Sequence, residues 1–157
     1  MEVFEKVCKT LEETEVLAKS FADAIKDSGA FVSLYGEIGA GKTAFVKLVA
    51  KALNVQEHVT SPSFVILNEY HSAEIPIYHF DLYRLEREGV KTIVDELREY
   101  SEGKILTFVE WAEFSQDEIP FEHIQANVTY EDDDARKYSF KAYGTNSNKI
   151  IERLKKW

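Results

Sequence analysis

Eight consecutive residues carry the strongest chemical signal in this chain. Gly36-Glu37-Ile38-Gly39-Ala40-Gly41-Lys42-Thr43 fits the spacing G-x-x-x-x-G-K-[ST] in full. The glycines let the main chain wrap around an anion with its N–H groups pointing inward and no Cβ in the way. A helix beginning at the end of the loop adds partial positive charge. Lys42 is then predicted to reach the β- and γ-phosphates of a nucleoside triphosphate as a flexible point charge, and the Thr43 hydroxyl to ligate Mg²⁺. At the average protein usage of about 7% glycine, a chance match in a chain of this length has a probability of roughly 0.005.

A site of this kind also needs an acid at the end of a neighbouring strand. Two residues qualify. Asp81 closes Ile77-Tyr78-His79-Phe80, and Glu110 closes Ile105 to Val109, the better match to an acid that follows a buried strand. Both would meet in the crevice at the carboxyl ends of the strands, where open α/β sheets bind ligands. One can hold Mg²⁺ through water while the other orients or deprotonates an attacking water. The sequence leaves open which acid does which. His58, His71, His79 and His123 lack the short mutual spacings of a zinc site. His79 reads as a hydrogen-bonded core or rim histidine, and Trp111 equally as core or partner surface.

The elements that must position these groups follow from pattern. Thr10 and Glu13 have capping-box spacing, and Leu11, Leu17, Phe21 and Ile25 recur at helical intervals up to Ser28 and Gly29. Phe31 to Tyr35 reads as a buried strand feeding the glycine loop, and Lys42 to Leu53 as a helix. Asn54 to Ser63 is an exposed connection. Phe64 to Tyr70 and Ile77 to Leu82 form a candidate hairpin, followed by a helix from Val90 to Tyr100 and a buried central strand, Ile105 to Val109. Ile124 to Tyr130 and Tyr138 to Tyr143 form an antiparallel hairpin, and Ser147 is the expected cap of a final helix. The fold class is α/β, a mainly parallel sheet flanked by helices on both faces with antiparallel C-terminal strands.

Composition sets the outer bounds. The chain has 157 residues, 45% hydrophobic and 30% charged, which predicts one globular domain over residues 1–157 with a core needing no staples. Cys8 is the one cysteine, so no intramolecular disulfide can form and a reducing cytoplasm fits. Nowhere do 18 apolar residues run uninterrupted, and no signal-peptide pattern opens the chain, so no membrane association is expected. The net charge of −9 disfavours independent binding to a polyanion such as RNA. The acidic run Glu131 to Asp134 and the basic end, Arg153, Lys155 and Lys156, read as solvated surface.

Taken together, Gly36 to Thr43, Thr60-Ser61-Pro62-Ser63-Phe64, Tyr78-His79-Phe80-Asp81-Leu82-Tyr83-Arg84 and Val109-Glu110-Trp111 resemble the TsaE (YjeE) ATPases over essentially the whole chain. The resemblance implies an ATPase of tRNA N6-threonylcarbamoyladenosine synthesis, weak alone and stimulated by two partners, TsaD and TsaB. The modified adenosine lies beside the anticodon of ANN-decoding tRNAs, and tRNA would be met only indirectly, through the complex. Carried over by motif, Gly36, Glu37, Ile38, Gly39, Ala40, Gly41, Lys42 and Thr43 bind the phosphates of ATP. Thr43 and Glu110 serve Mg²⁺, and Asp81 is the second essential acid and a further metal candidate. Thr60 to Ser63 is a switch-like loop near the γ-phosphate, with serine at 63 where the family has threonine. Thr10 and Leu11, ahead of Glu12-Glu13-Thr14, lie near the adenine.

Three other readings compete. A small-molecule kinase needs an arginine-rich lid, and the five arginines, Arg84, Arg87, Arg98, Arg136 and Arg153, are scattered. A GTPase needs Asn-Lys-x-Asp, but Asn148-Lys149 is followed by Ile151 where the aspartate belongs. A nucleotide-gated adaptor would need bound ATP more than its hydrolysis.

Overall fold

The computed structural model describes residues 2–36, 41–56, 67–71, 75–81, 103–110, 119–131 and 134–156. The chain enters on a strand that sequence patterning does not announce, β1 (Val3–Cys8). Only Cys8 of its six residues is buried, so the apolar alternation that marks a half-buried strand is missing. Its place is set by pairing with a later strand.

The first helix is α1 (Leu11–Ile25), with Thr10 as its cap: the Glu13 N–H donates to Thr10 Oγ1 at 3.1 Å. The Glu13 carboxylate accepts from the Lys9 N–H, one residue further back than in a capping box. β2 (Ala30–Tyr35) runs into the glycine loop, and α2 (Lys42–Ala52) leaves it. β3 (Leu67–Tyr70) and β4 (Ile77–Asp81) pair antiparallel as the hairpin reading expected. Phe64 to Ile66, Leu82 and the helix expected at Val90 to Tyr100 lie outside the described residues. All five residues of β5 (Leu106–Glu110) are buried, as a central parallel strand requires.

β6 (His123–Tyr130) and β7 (Arg136–Tyr143) form the C-terminal antiparallel pair. The final helix, α3 (Thr145–Lys155), starts two residues earlier than its expected cap. Gly144 holds the cap position and Ser147 is buried in the first turn. The exposed helix amides are instead satisfied by Glu122, whose Oε1 accepts from Asn146 N–H at 3.1 Å and Oε2 from Ser147 N–H at 2.9 Å. A carboxylate there suits the positive end of the helix dipole, and it comes from a segment distant in sequence.

The described strands join in one sheet of order β1-β7-β6-β2-β5-β4-β3. The central four, β6, β2, β5 and β4, are parallel, and antiparallel neighbours flank them at both margins. α1 packs against α2 and α3, and their apolar residues merge with Val32, Leu34, Leu106, Phe108 and Phe140 in a single core. Phe45 seats α2 in that core. Its ring lies 5.6 Å from Phe21, 5.9 Å from Phe140 and 5.3 Å from Tyr138 between centroids, so the two residues at the start of α2 are held by aromatic packing. Among the described residues, no helix is long and apolar enough to cross a membrane.

Candidate functional site

Strand direction gathers the chemistry. Because β2, β4, β5 and β6 are parallel, their carboxyl ends at Tyr35, Asp81, Glu110 and Tyr130 line one edge of the sheet. β7 runs the other way and begins at that edge with Arg136, and β1, antiparallel to β7, ends there and delivers Thr10 and Leu11. The sequence-predicted residues Gly36, Gly41, Lys42, Thr43, Asp81, Glu110, Thr10 and Leu11 therefore share one end of the fold. Glu37, Ile38, Gly39, Ala40, Thr60 and Ser63 lie outside the described residues.

Asp81 and Glu110 are direct register partners on β4 and β5, so their side chains leave the sheet on the same face. α2 covers that face. Thr43 Oγ1 lies 3.1 Å from Glu110 Oε1 and 3.0 Å from Oε2, donating to the carboxylate. From two residues back on β4, His79 Nε2 contacts Glu110 Oε2. Lys42, Asp81, Glu110 and His79 are 5%, 5%, 3% and 0% exposed. Ionisable side chains are rarely buried without a partner or a task, and here they are grouped around the end of a glycine loop.

The donor set favours a hard cation. A threonine hydroxyl and carboxylate oxygens suit Mg²⁺, which takes one or two carboxylates and completes its shell with phosphate and water. Among the described residues, no group of three or more His, Cys, Asp or Glu is placed to hold a metal ion. Because the Thr43 O–H donates to Glu110, the lone pairs of its oxygen are left to serve a cation.

Arg136 escaped sequence reasoning. Its guanidinium packs against Gly41, so close that a Cβ added there would stand 2.8 Å from Nη1, and its Cζ lies 5.5 Å from the Tyr130 ring centroid. Arg136 thus brings a cation to Gly41, beside Lys42, from a strand late in the chain. Its only sequence signal is its position at the start of a strand after an acidic run. His79 proves to be the hydrogen-bonded histidine expected, but its partner, Glu110, was not foreseen. Cys8 and Tyr138 sit beside Thr14 nearby, and burial pushes the thiol and the phenol above their ordinary ranges.

Comparison with known proteins shows the family and the fold. Residues 8–138 match the family described as Threonylcarbamoyl adenosine biosynthesis protein TsaE. The tRNA threonylcarbamoyladenosine biosynthesis protein TsaE of Bacillus subtilis (strain 168) is 37% identical over 143 residues, 91% of this chain and 88% of that protein. The Nostoc protein of the same name is 34% identical over 79% of this chain and 77% of its own length. The crystal structure of Bacillus subtilis YdiB superposes with a TM-score of 0.83 at 31% identity, covering 99% of this chain and 95% of that one. The α/β fold is that of a P-loop NTPase.

Proposed function

Since the chain belongs to the TsaE family of tRNA threonylcarbamoyladenosine biosynthesis, we propose that it is the ATP-binding and ATP-hydrolysing component of that machinery, working in the cytoplasm with TsaB and TsaD. One observation carries the reading. A complete phosphate-loop motif joins β2 to α2, and the hydroxyl of its last residue, Thr43, is hydrogen-bonded to the carboxylate that closes β5.

In this reading the loop amides of Gly36 to Thr43 and the ammonium of Lys42 bind the phosphates. Thr43 and Glu110 would hold Mg²⁺, with Asp81 close by. Bound there, the cation neutralises charge on the phosphate oxygens. Asp81 orients or deprotonates the attacking water, a role that suits a buried carboxylate beside Glu110 at the end of the neighbouring strand. Lys42 places positive charge on the phosphates in the bound state and in the transition state alike, so it serves binding as well as turnover, and Arg136 adds a second positive charge beside it. Thr10 and Leu11, at the same edge of the sheet, border the nucleotide, and Leu11 is 64% exposed, which suits an apolar contact for a flat base. With a net charge of −9, contact with tRNA falls to the partners.

The experiment is steady-state Mg²⁺-dependent ATP hydrolysis by the purified chain, alone and with TsaB and TsaD of the same organism. Weak turnover alone that rises strongly in the mixture is expected. Phosphoryl transfer to a small molecule, or robust turnover indifferent to both partners, would replace this reading with a kinase or an independent NTPase.

A further inference from the structure

We infer that His79 is a positioning residue for the metal side of this site: its Nε2–H holds the Glu110 carboxylate in the orientation that Thr43 and a divalent cation use. The inference rests on Thr43 and Glu110 being the Mg²⁺ side of the site.

The placement of His79 is costly without such a task. The residue is fully buried on β4, between Tyr78 and Phe80 in sequence and edge-on to Phe108, with ring centroids 6.4 Å apart. Among the described residues its Nδ1 has no hydrogen-bond partner, so the ring gives up water at one nitrogen and gains a single contact at the other. That contact is Glu110 Oε2. A proton on Nδ1 would be a buried donor with nothing to accept it, so the ring carries its proton on Nε2 and donates to the carboxylate.

The geometry explains what the contact does. Glu110 pairs in register with Asp81, and His79 pairs with Phe108, so His79 sits diagonally behind Glu110 on the face that carries Thr43. Glu110 is thereby gripped from two sides, by a strand and by the first turn of α2. With Nε2 fixed on Oε2, rotation of the carboxylate is restricted, and its free energy of ordering is already met before a cation arrives. Partners of this kind behind a metal ligand typically change metal affinity or activity about 10- to 100-fold when removed.

The test compares His79→Leu, His79→Gln and His79→Asn by Mn²⁺ titration followed by electron paramagnetic resonance, with ADP bound so that no turnover is required. Glutamine places its amide N–H where Nε2 stood, whereas asparagine reaches only the Nδ1 position and leucine offers no donor. Mn²⁺ affinity is expected to fall about 10-fold or more in His79→Leu and to return to within about threefold of wild type in His79→Gln. Should the leucine variant not fold, His79→Asn serves as the variant without a donor and is expected to show the same loss. ADP affinity in EDTA stays unchanged in all three. Wild-type Mn²⁺ affinity in folded His79→Leu or His79→Asn, or a glutamine variant as weak as leucine, overturns the inference. Glu110→Ala is the control: if it too keeps wild-type Mn²⁺ affinity, the assignment of the metal side is wrong, and the role of His79 falls with it.

Discussion

Replacing Gly41 with alanine tests whether the end of the phosphate loop is as tightly specified as its surroundings imply. The residue sits at φ 108° and ψ 16°, where an L-residue is strained by about 1–3 kcal/mol. The new Cβ would also stand 2.8 Å from Arg136 Nη1, closer than unbonded atoms approach. A guanidinium is the far end of a flexible chain, so it moves away and gives up its place over Tyr130, a contact of about 0.5–1 kcal/mol. The sum is roughly 1.5–4 kcal/mol, and at this chain length it lowers the melting temperature by roughly 3–16 °C. The assay is thermal and urea unfolding of wild type, Gly41→Ala, Arg136→Ala and the double variant. Because the cation–π contact can be lost only once, the double variant should be less destabilised than the sum of the singles by about 0.5–1 kcal/mol. A Gly41→Ala protein melting within about 2 °C of wild type, or strictly additive variants, would refute this account of the loop.

Three further outcomes are expected. Lys42→Ala should weaken ATP binding at least about tenfold, a loss of about 1.4 kcal/mol or more, whereas Glu110→Ala and Asp81→Ala should retain nucleotide in EDTA and lose about 100-fold or more in kcat; fluorescent-nucleotide titration and steady-state kinetics separate the two classes. Glu122→Ala should cost about 1 kcal/mol by uncapping α3, with Glu122→Gln losing about half as much, both read from urea midpoints. Burial holds the Cys8 thiol and the Tyr138 phenol protonated above their ordinary values of 9.0 and 10.0, so the folded state binds more protons than the unfolded one at alkaline pH. The stability they lend is complete below pH 9.0 and is lost as pH rises through the higher folded-state values. Urea midpoints should therefore fall above that pH, and fall less in Cys8→Ala.

Much of this protein is written in local terms. The strand and the helix on either side of the Gly36 to Thr43 motif, the cap at Thr10, the buried strand ending in Glu110 and the two hairpins all follow from residue types at short spacing, because capping and apolar periodicity act over a few residues. The pairing of an acid with Thr43 could be expected from chemistry alone, since a phosphate loop without an acid would be incomplete. β1 was not legible, because an edge strand with one buried residue takes its structure from β7 rather than from its own pattern. Ser147 looked like a cap until Glu122 arrived from another segment to fill the place. His79 and Arg136 belong to the site for the same reason. Strand order and direction, not sequence spacing, bring β4 diagonally behind Glu110 and start β7 beside Gly41. Contacts between distant segments depend on how strands pair and which way they run, and that is decided only when the whole core packs.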